Sequence, residues 1–135
     1  MILVDTSILF DLVLNDPQWG PWSASTLELA AAQDTLAINA IIYAELSSHY
    51  DEIDSLEEVL AALELQIADI PKPALFLAGH AFRRYRQAGG AKSGVLSDFF
   101  IGAHAAVARA PLLTRDPRRI STYFPTVALL RPGAE

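Results

Sequence analysis

Four acidic residues stand where their neighbours favour something else, and together they form a set suited to hydrolytic chemistry. Asp5 directly follows the apolar run Ile2-Leu3-Val4, and Asp116 comes two residues after Leu112-Leu113-Thr114. Glu45 follows Ile42, Ile41 and Ile38 at spacings of three, four and seven, which place its carboxylate on the inward stripe of a helix. Asp98 sits between Ser97 and the apolar Phe99-Phe100-Ile101. Taken singly, Asp5 can cap a helix, Asp98 can favour a helix N-terminus and Asp116 can make a turn before Pro117. Glu45 resists an ordinary reading, because an inward carboxylate with no base nearby is costly.

If the four converge, their repulsion must be relieved. Two unit charges ~4 Å apart repel by about 4 kcal/mol at an effective dielectric near 20. Without a counterion, part of the cluster would stay protonated. Residues 1–71 contain no Lys or Arg, so a hard divalent cation, Mg²⁺ or Mn²⁺, is the natural partner of this all-oxygen set. Such an ion polarises a phosphate oxygen, lowers the pKa of water and orients it for attack. Phosphodiester hydrolysis uses all three effects.

The surrounding sequence predicts elements able to position these groups. Ile2-Leu3-Val4 reads as a strand buried on both faces, and Thr6 or Ser7 is expected to cap a helix carrying Ile8, Leu9, Leu12 and Val13. A helix over residues 22–33, a strand at 36–38, a helix through Ile41, Ile42, Glu45 and Leu46, and a helix over 54–63 follow. Residues 65–70 alternate like a strand. A helix from Pro73 to Gln87 ends at Gly89-Gly90, and Ser97 is expected to cap a helix of small residues, Gly102, Ala103, Ala105 and Ala106. Strands at 112–114 and 127–130 flank a turn or short helix at 117–124. Strands alternating with helices predict an α/β fold with a mainly parallel sheet of about five short strands, one domain over residues 1–135. Asp5 and Asp116 then lie at the carboxyl ends of interior strands, the edge where open parallel sheets bind ligands.

Composition bounds the alternatives. The chain has 52% hydrophobic and 19% charged residues and no cysteine, which excludes disulfides, thiolate catalysis and zinc–sulfur sites. No apolar run approaches the ~20 residues of a membrane span, and no basic leader precedes Ile2, so a cytoplasmic protein is expected. The net charge of −6 conceals an asymmetry: residues 1–71 hold 13 acids and no base, whereas residues 72–135 hold all 10 bases and three acids. The halves therefore carry −13 and +7, a division that hints at nucleic-acid contact or else reflects two solvated faces of opposite sign.

At Val4-Asp5-Thr6-Ser7, Tyr43-Ala44-Glu45-Leu46, Ser97-Asp98-Phe99-Phe100-Ile101-Gly102-Ala103-His104 and Leu113-Thr114-Arg115-Asp116, the sequence resembles the PIN-domain ribonucleases, in particular the VapC-type toxins of toxin–antitoxin pairs. The resemblance spans essentially the whole chain and implies a three-layer α/β/α PIN-like domain. It implies that Asp5 and Asp98 are the main direct metal ligands and that Asp116 joins or completes the coordination through water. Glu45 would position the attacking water or help bind a second ion, with Thr6, Ser7 and Thr114 supporting the carboxylates. Dependence on Mg²⁺ or Mn²⁺, an RNA substrate, a homodimer and a cognate VapB-type antitoxin follow from the same resemblance.

Other residues carry weaker signals. His49, His80 and His104 lack ligand spacing and are expected to be structural or at the surface. Ser93, Ser97 and Ser121 have no context that would activate a nucleophile. Gly89, Gly90 and Gly94 are too sparse to cradle phosphate. Arg83, Arg84, Arg86 and Lys92 form one basic cluster and Arg115, Arg118 and Arg119 a second; the second, next to Asp116, is the better RNA contact, and Tyr85 or Tyr123 can stack on a base. Helices 22–33 and 54–63 are expected to expose an apolar groove of the kind that receives an antitoxin segment in this family, or else simply to pack in the core. Two rivals stand beside the nuclease. A haloacid-dehalogenase-type phosphatase would want an Asp where Ser7 stands. A non-catalytic PIN-like RNA- or protein-binding module would not need the intact acidic set.

Overall fold

The computed structural model describes residues 1–91 and 95–132, so Lys92, Ser93 and Gly94 lie outside the described residues. The elements, in chain order, are β1 (Ile2–Val4), α1 (Thr6–Val13), α2 (Gly20–Gln33), β2 (Leu36–Ile38), α3 (Ala40–Ser47), α4 (Ile53–Ala62), β3 (Leu65–Ile67), α5 (Lys72–Gln87), α6 (Leu96–Ala108), β4 (Leu112–Leu113), α7 (Arg118–Tyr123) and β5 (Leu129–Leu130). The strands form one sheet in the order β3-β2-β1-β4-β5, every neighbouring pair parallel. Each strand is followed by a crossover, because parallel neighbours cannot be joined by a tight hairpin. The interior strands β1, β2 and β4 are buried along their lengths, as their unbroken apolar runs require of strands covered on both faces.

The chain winds outward from β1 through β2 to β3, then returns to lay β4 on the other side of β1. That reversal opens a switch point at the carboxyl ends of β1 and β4, with Leu3 paired to Leu112 and Val4 to Leu113. Asp5 N–H continues the ladder by donating to Leu113 O at 2.9 Å, so the first acid is the next residue in register. Around the sheet, α5 packs on α6 through a stripe of buried alanines, Ala74, Ala78 and Ala81, at helical spacing. Gly102 in α6 lets Phe124 approach; a Cβ there would stand 2.4 Å from the Phe124 ring.

Several local expectations are corrected. The cap of α1 is Asp5, not Thr6 or Ser7: its side chain accepts from Thr6 N–H and its backbone is extended. α6 begins at Leu96, one residue before Ser97, with no side-chain cap, because the Ser97 hydroxyl is turned toward Glu45. α2 starts at Gly20, where Pro21 suits a first helical turn. The alternating run 65–70 leaves the sheet after Ile67, and β5 is confined to two residues. α5 ends as expected, Gly89 taking a left-handed φ of +93°.

Candidate active site

The acids expected to act together stand along the switch-point edge, and hydroxyls hold the carboxylates of Asp5 and Glu45. Thr114, fully buried just beyond β4, donates to Asp5 Oδ2 at 2.7 Å and accepts from Asp116 N–H at 3.0 Å. One hydroxyl thus ties the first acid to the last. Ser7 also donates to Asp5 Oδ2 at 2.9 Å and accepts from Arg115 N–H at 3.2 Å, fastening the start of α1 to the β4–α7 loop. Thr6 donates to Glu45 Oε1 at 2.7 Å and Ser97 to Glu45 Oε2 at 3.2 Å. Both oxygens of the inward-facing Glu45 are therefore held, which removes the apparent anomaly of an acid on an apolar stripe.

Glu45 is aimed by its helix as well. Asn39 caps α3, its Oδ1 accepting from Ile41 N–H at 3.1 Å and Ile42 N–H at 3.0 Å. Its amide nitrogen meets Nδ1 of the buried His104 at 3.1 Å, joining α3 to α6. Burial holds the His104 pKa below the ordinary histidine range. The other histidines are structural too: His49 lies edge-on to Phe10 at 4.6 Å, and His80 packs on Phe76 at 4.2 Å.

Burial dominates the electrostatics of these acids. Burial, with the Asp98 charge adding to it, pushes the Asp5 carboxyl up to about 6 despite hydrogen bonds from Thr114, Ser7 and Thr6. Asp98 is also raised, chiefly by burial, with Glu45 and Asp116 pushing the same way and Arg119 opposing them. The acids therefore act on one another, as a shared site requires.

One sequence expectation gives way here. With no base in residues 1–71, a divalent cation is the natural partner of the acids, yet Arg119 of α7 bonds to Asp98 Oδ2 at 2.5 Å. Among the described residues, no group of three acidic or histidine side chains converges closely enough to hold a metal ion. The donor set fits a hard divalent cation in kind, being all carboxylate, with Asp5 raised by burial. Arg119 occupies Asp98 Oδ2, so direct ligation by Asp98 would use Oδ1 or displace Arg119.

The second basic cluster divides. Arg115 reaches Asp11 with Nε at 2.8 Å and Nη2 at 3.0 Å, and its guanidinium lies over Trp19 at 5.5 Å. Asp11 is buried and also accepts from Ser23 at 2.7 Å. The sequence reading missed Asp11, although it lies three residues after Ile8 on the inward face of α1. Arg118 and Arg119 instead line an open cleft of about 370 Å³ with Asp116, Tyr85, Thr122 and Tyr123. In the first cluster, Arg83 contacts His80 and Arg86 donates to Gly90 O. Apolar side chains Tyr43, Tyr50, Ile53 and Leu56 border a groove of about 200 Å³ between α3 and α4, whereas the groove was expected between α2 and α4.

With this geometry in place, comparison decides the family: the PIN domain matches residues 2–124. The chain belongs to the PIN-domain family. PIN domains are generally nucleases, and the five-stranded parallel sheet is this family's fold. The PIN fold here is similar to a chain of VapBC2 from Rickettsia felis, solved bound to a DNA fragment from their promoter. That likeness has 25% identity and a TM-score of 0.73, and covers 97% of this chain and 98% of that one. VapBC-1 from nontypeable Haemophilus influenzae gives 18% identity and a TM-score of 0.72 over 97% and 98% of the two chains. A toxin–antitoxin complex from Klebsiella pneumoniae gives 24% and 0.68 over 95% and 96%. The last two bear on the fold alone. No curated protein matches the chain in sequence. Among the described residues, no helix is long and apolar enough to cross a membrane.

Proposed function

We propose that this PIN domain is a Mg²⁺- or Mn²⁺-dependent endoribonuclease that acts as the toxin of a VapBC-type pair. The observation that carries the reading is the set of acids at the β1–β4 switch point, where the Thr114 hydroxyl joins the Asp5 carboxylate to the Asp116 backbone and burial holds Asp5 near pKa 6. Asp5, Asp98 and Asp116 would hold the ion. When bound, the ion polarises a phosphate oxygen and makes water acidic enough to attack it. Thr114 and Ser7 fix the rotamer of Asp5, so its carboxylate needs little reorganisation on binding. Glu45, clamped by Thr6 and Ser97, orients the attacking water and takes its proton. RNA as the substrate, a homodimer and a VapB-type antitoxin are carried over from the family resemblance, a cytoplasmic location from the composition, and the likeness to the Rickettsia felis VapBC2 chain supports the antitoxin as partner.

The test is cleavage of an end-labelled RNA with Mg²⁺ or Mn²⁺. Asp5→Ala and Asp98→Ala should each abolish cleavage, and full activity in either variant overturns the assignment. The second reading, a non-catalytic RNA- or protein-binding module, draws on the Arg119–Asp98 pair, which already supplies Asp98 with a cation. Calorimetric titration with Mn²⁺ separates the two: heat of binding lost in Asp98→Ala favours the nuclease, and no binding at neutral pH favours the module.

A further inference from the structure

We infer that the cleft between α5 and α7 is a subsite for one unpaired nucleotide of the substrate RNA, its base stacking on Tyr123 and its phosphate meeting Arg118. The inference rests on the nuclease reading and adds to it where, and in what form, the strand is held beside the acids. Asp116 lines the cleft, so it opens directly onto the carboxylate edge. Arg119 spans both, with its guanidinium 5.5 Å over the Tyr85 ring and bonded to Asp98. A nucleotide in the cleft therefore lies next to the bond that the acids would address.

The walls are stiff before anything binds. Tyr85 packs on Phe99 and Tyr123 at centroid distances of 5.3 and 5.9 Å, and its hydroxyl accepts from Ala91 N–H at 3.1 Å. Gly90 makes room for that ring, since a Cβ there would come within 2.4 Å of Tyr85 Cζ. Tyr123 rests on Phe99 at 5.3 Å, and Phe99 is the buried residue directly after Asp98. The aromatic surface is thus fixed to the helix that presents the acid. Half-buried tyrosine rings so held give area at little ordering cost, and any base offers a π-face to them. A phosphate brought to an acidic edge also needs positive charge close by. Arg115 is engaged by Asp11, which leaves Arg118, exposed at the cleft, to supply it. A duplex hides its base faces in the stack, so the cleft selects unpaired nucleotides.

Fluorescence anisotropy in EDTA reads binding without cleavage. The probes are a labelled 12-nucleotide single-stranded RNA, the same strand in a duplex, and an abasic ribose-phosphate strand of equal length. Tyr123→Leu, which keeps apolar bulk against Phe99, should weaken single-strand binding on the order of ten- to a hundredfold and leave abasic binding unchanged. Tyr123→Phe should bind as wild type. Arg118→Ala should weaken the single-stranded and abasic probes alike and lower their salt slope by about 0.7. Circular dichroism melts verify that each variant is folded at the assay temperature. Wild-type-like binding by Tyr123→Leu overturns the subsite, as does an equal loss on the abasic strand. Normal RNA binding with lost affinity for an antitoxin peptide also overturns it and assigns the cleft to a protein partner. Metal-dependent cleavage of the same RNA is scored separately. Cleavage with no Tyr123 effect rejects the subsite and spares the nuclease; the Tyr123 signature without cleavage rejects the nuclease and spares the subsite.

Discussion

Arg115 closes a two-point ion pair on Asp11 across 104 residues of sequence, tying the loop that carries Asp116 to the first helix. Asp11 has 2% of its side chain exposed and Arg115 30%, so the carboxylate is the buried member. Arg115→Ala leaves that buried carboxylate without its cation, the Ser23 hydroxyl remaining, and is expected to destabilise the fold by about 3 kcal/mol. Urea denaturation measures the loss. Arg115→Lys recovers only part of it, because an ammonium cannot make the paired contact. A midpoint unchanged in Arg115→Ala would show that the bridge contributes nothing.

Arg119 competes with any cation for Asp98. Both side chains are about one-third exposed, 32% and 36%, so their pair is worth at most about 1 kcal/mol. Arg119→Gln should therefore tighten Mn²⁺ binding by up to about fivefold in calorimetric titration. Weaker Mn²⁺ binding in this variant would mean that Arg119 supports the metal site instead of blocking it.

Asp5 gives the metal-free protein a recognisable pH dependence. Its carboxyl is raised to about 6 in the fold from the ordinary 3.8, so the folded chain holds a proton that the unfolded chain has released. Stability from this group is greatest below about pH 4, falls as pH rises towards 6, and stays lowered above that. Asp5→Asn, which keeps an acceptor for Thr6 N–H, should flatten this slope and raise the melting temperature at pH 7.5 by a few degrees. Mn²⁺ should stabilise the wild type and not the variant. Thermal melts from pH 4 to 8 in EDTA provide the check, and parallel curves for the two proteins would count against the assignment.

Asn39 supports Glu45 from a distance. Asn39→Ala removes the cap of α3 and leaves His104 Nδ1 without its amide partner, a combined cost of about 2–4 kcal/mol. Chemical denaturation reads the cost. A loss below about 1 kcal/mol would mean that the buried contact to His104 contributes little.

The site was legible in the sequence to the extent that its chemistry is local. Asp5 and Asp116 stand out as members of an ordered set beyond buried strands, since each alone reads as a cap or a turn, and Glu45 because it interrupts an apolar stripe. The parallel α/β fold follows from runs such as Leu36-Ala37-Ile38 between helical periods. What escaped is pairing at long range. Nothing near Asp11 announces Arg115, nothing near Asp98 announces Arg119, and Ser97 looks like a cap until Glu45 is found opposite it. Periodicity reports which face a residue is on, but not which residue of another element meets it there.

Thr114 grips Asp5 from 109 positions away, on a strand added to the sheet after β1, β2 and β3. During synthesis, domains order themselves from the amino end as the chain leaves the ribosome. A nascent chain that has shown its first hundred residues therefore carries Asp5 and Glu45 but neither Thr114 nor Asp116. If this edge cuts RNA, it stays incomplete beside the ribosome until Thr114 and Asp116 have emerged.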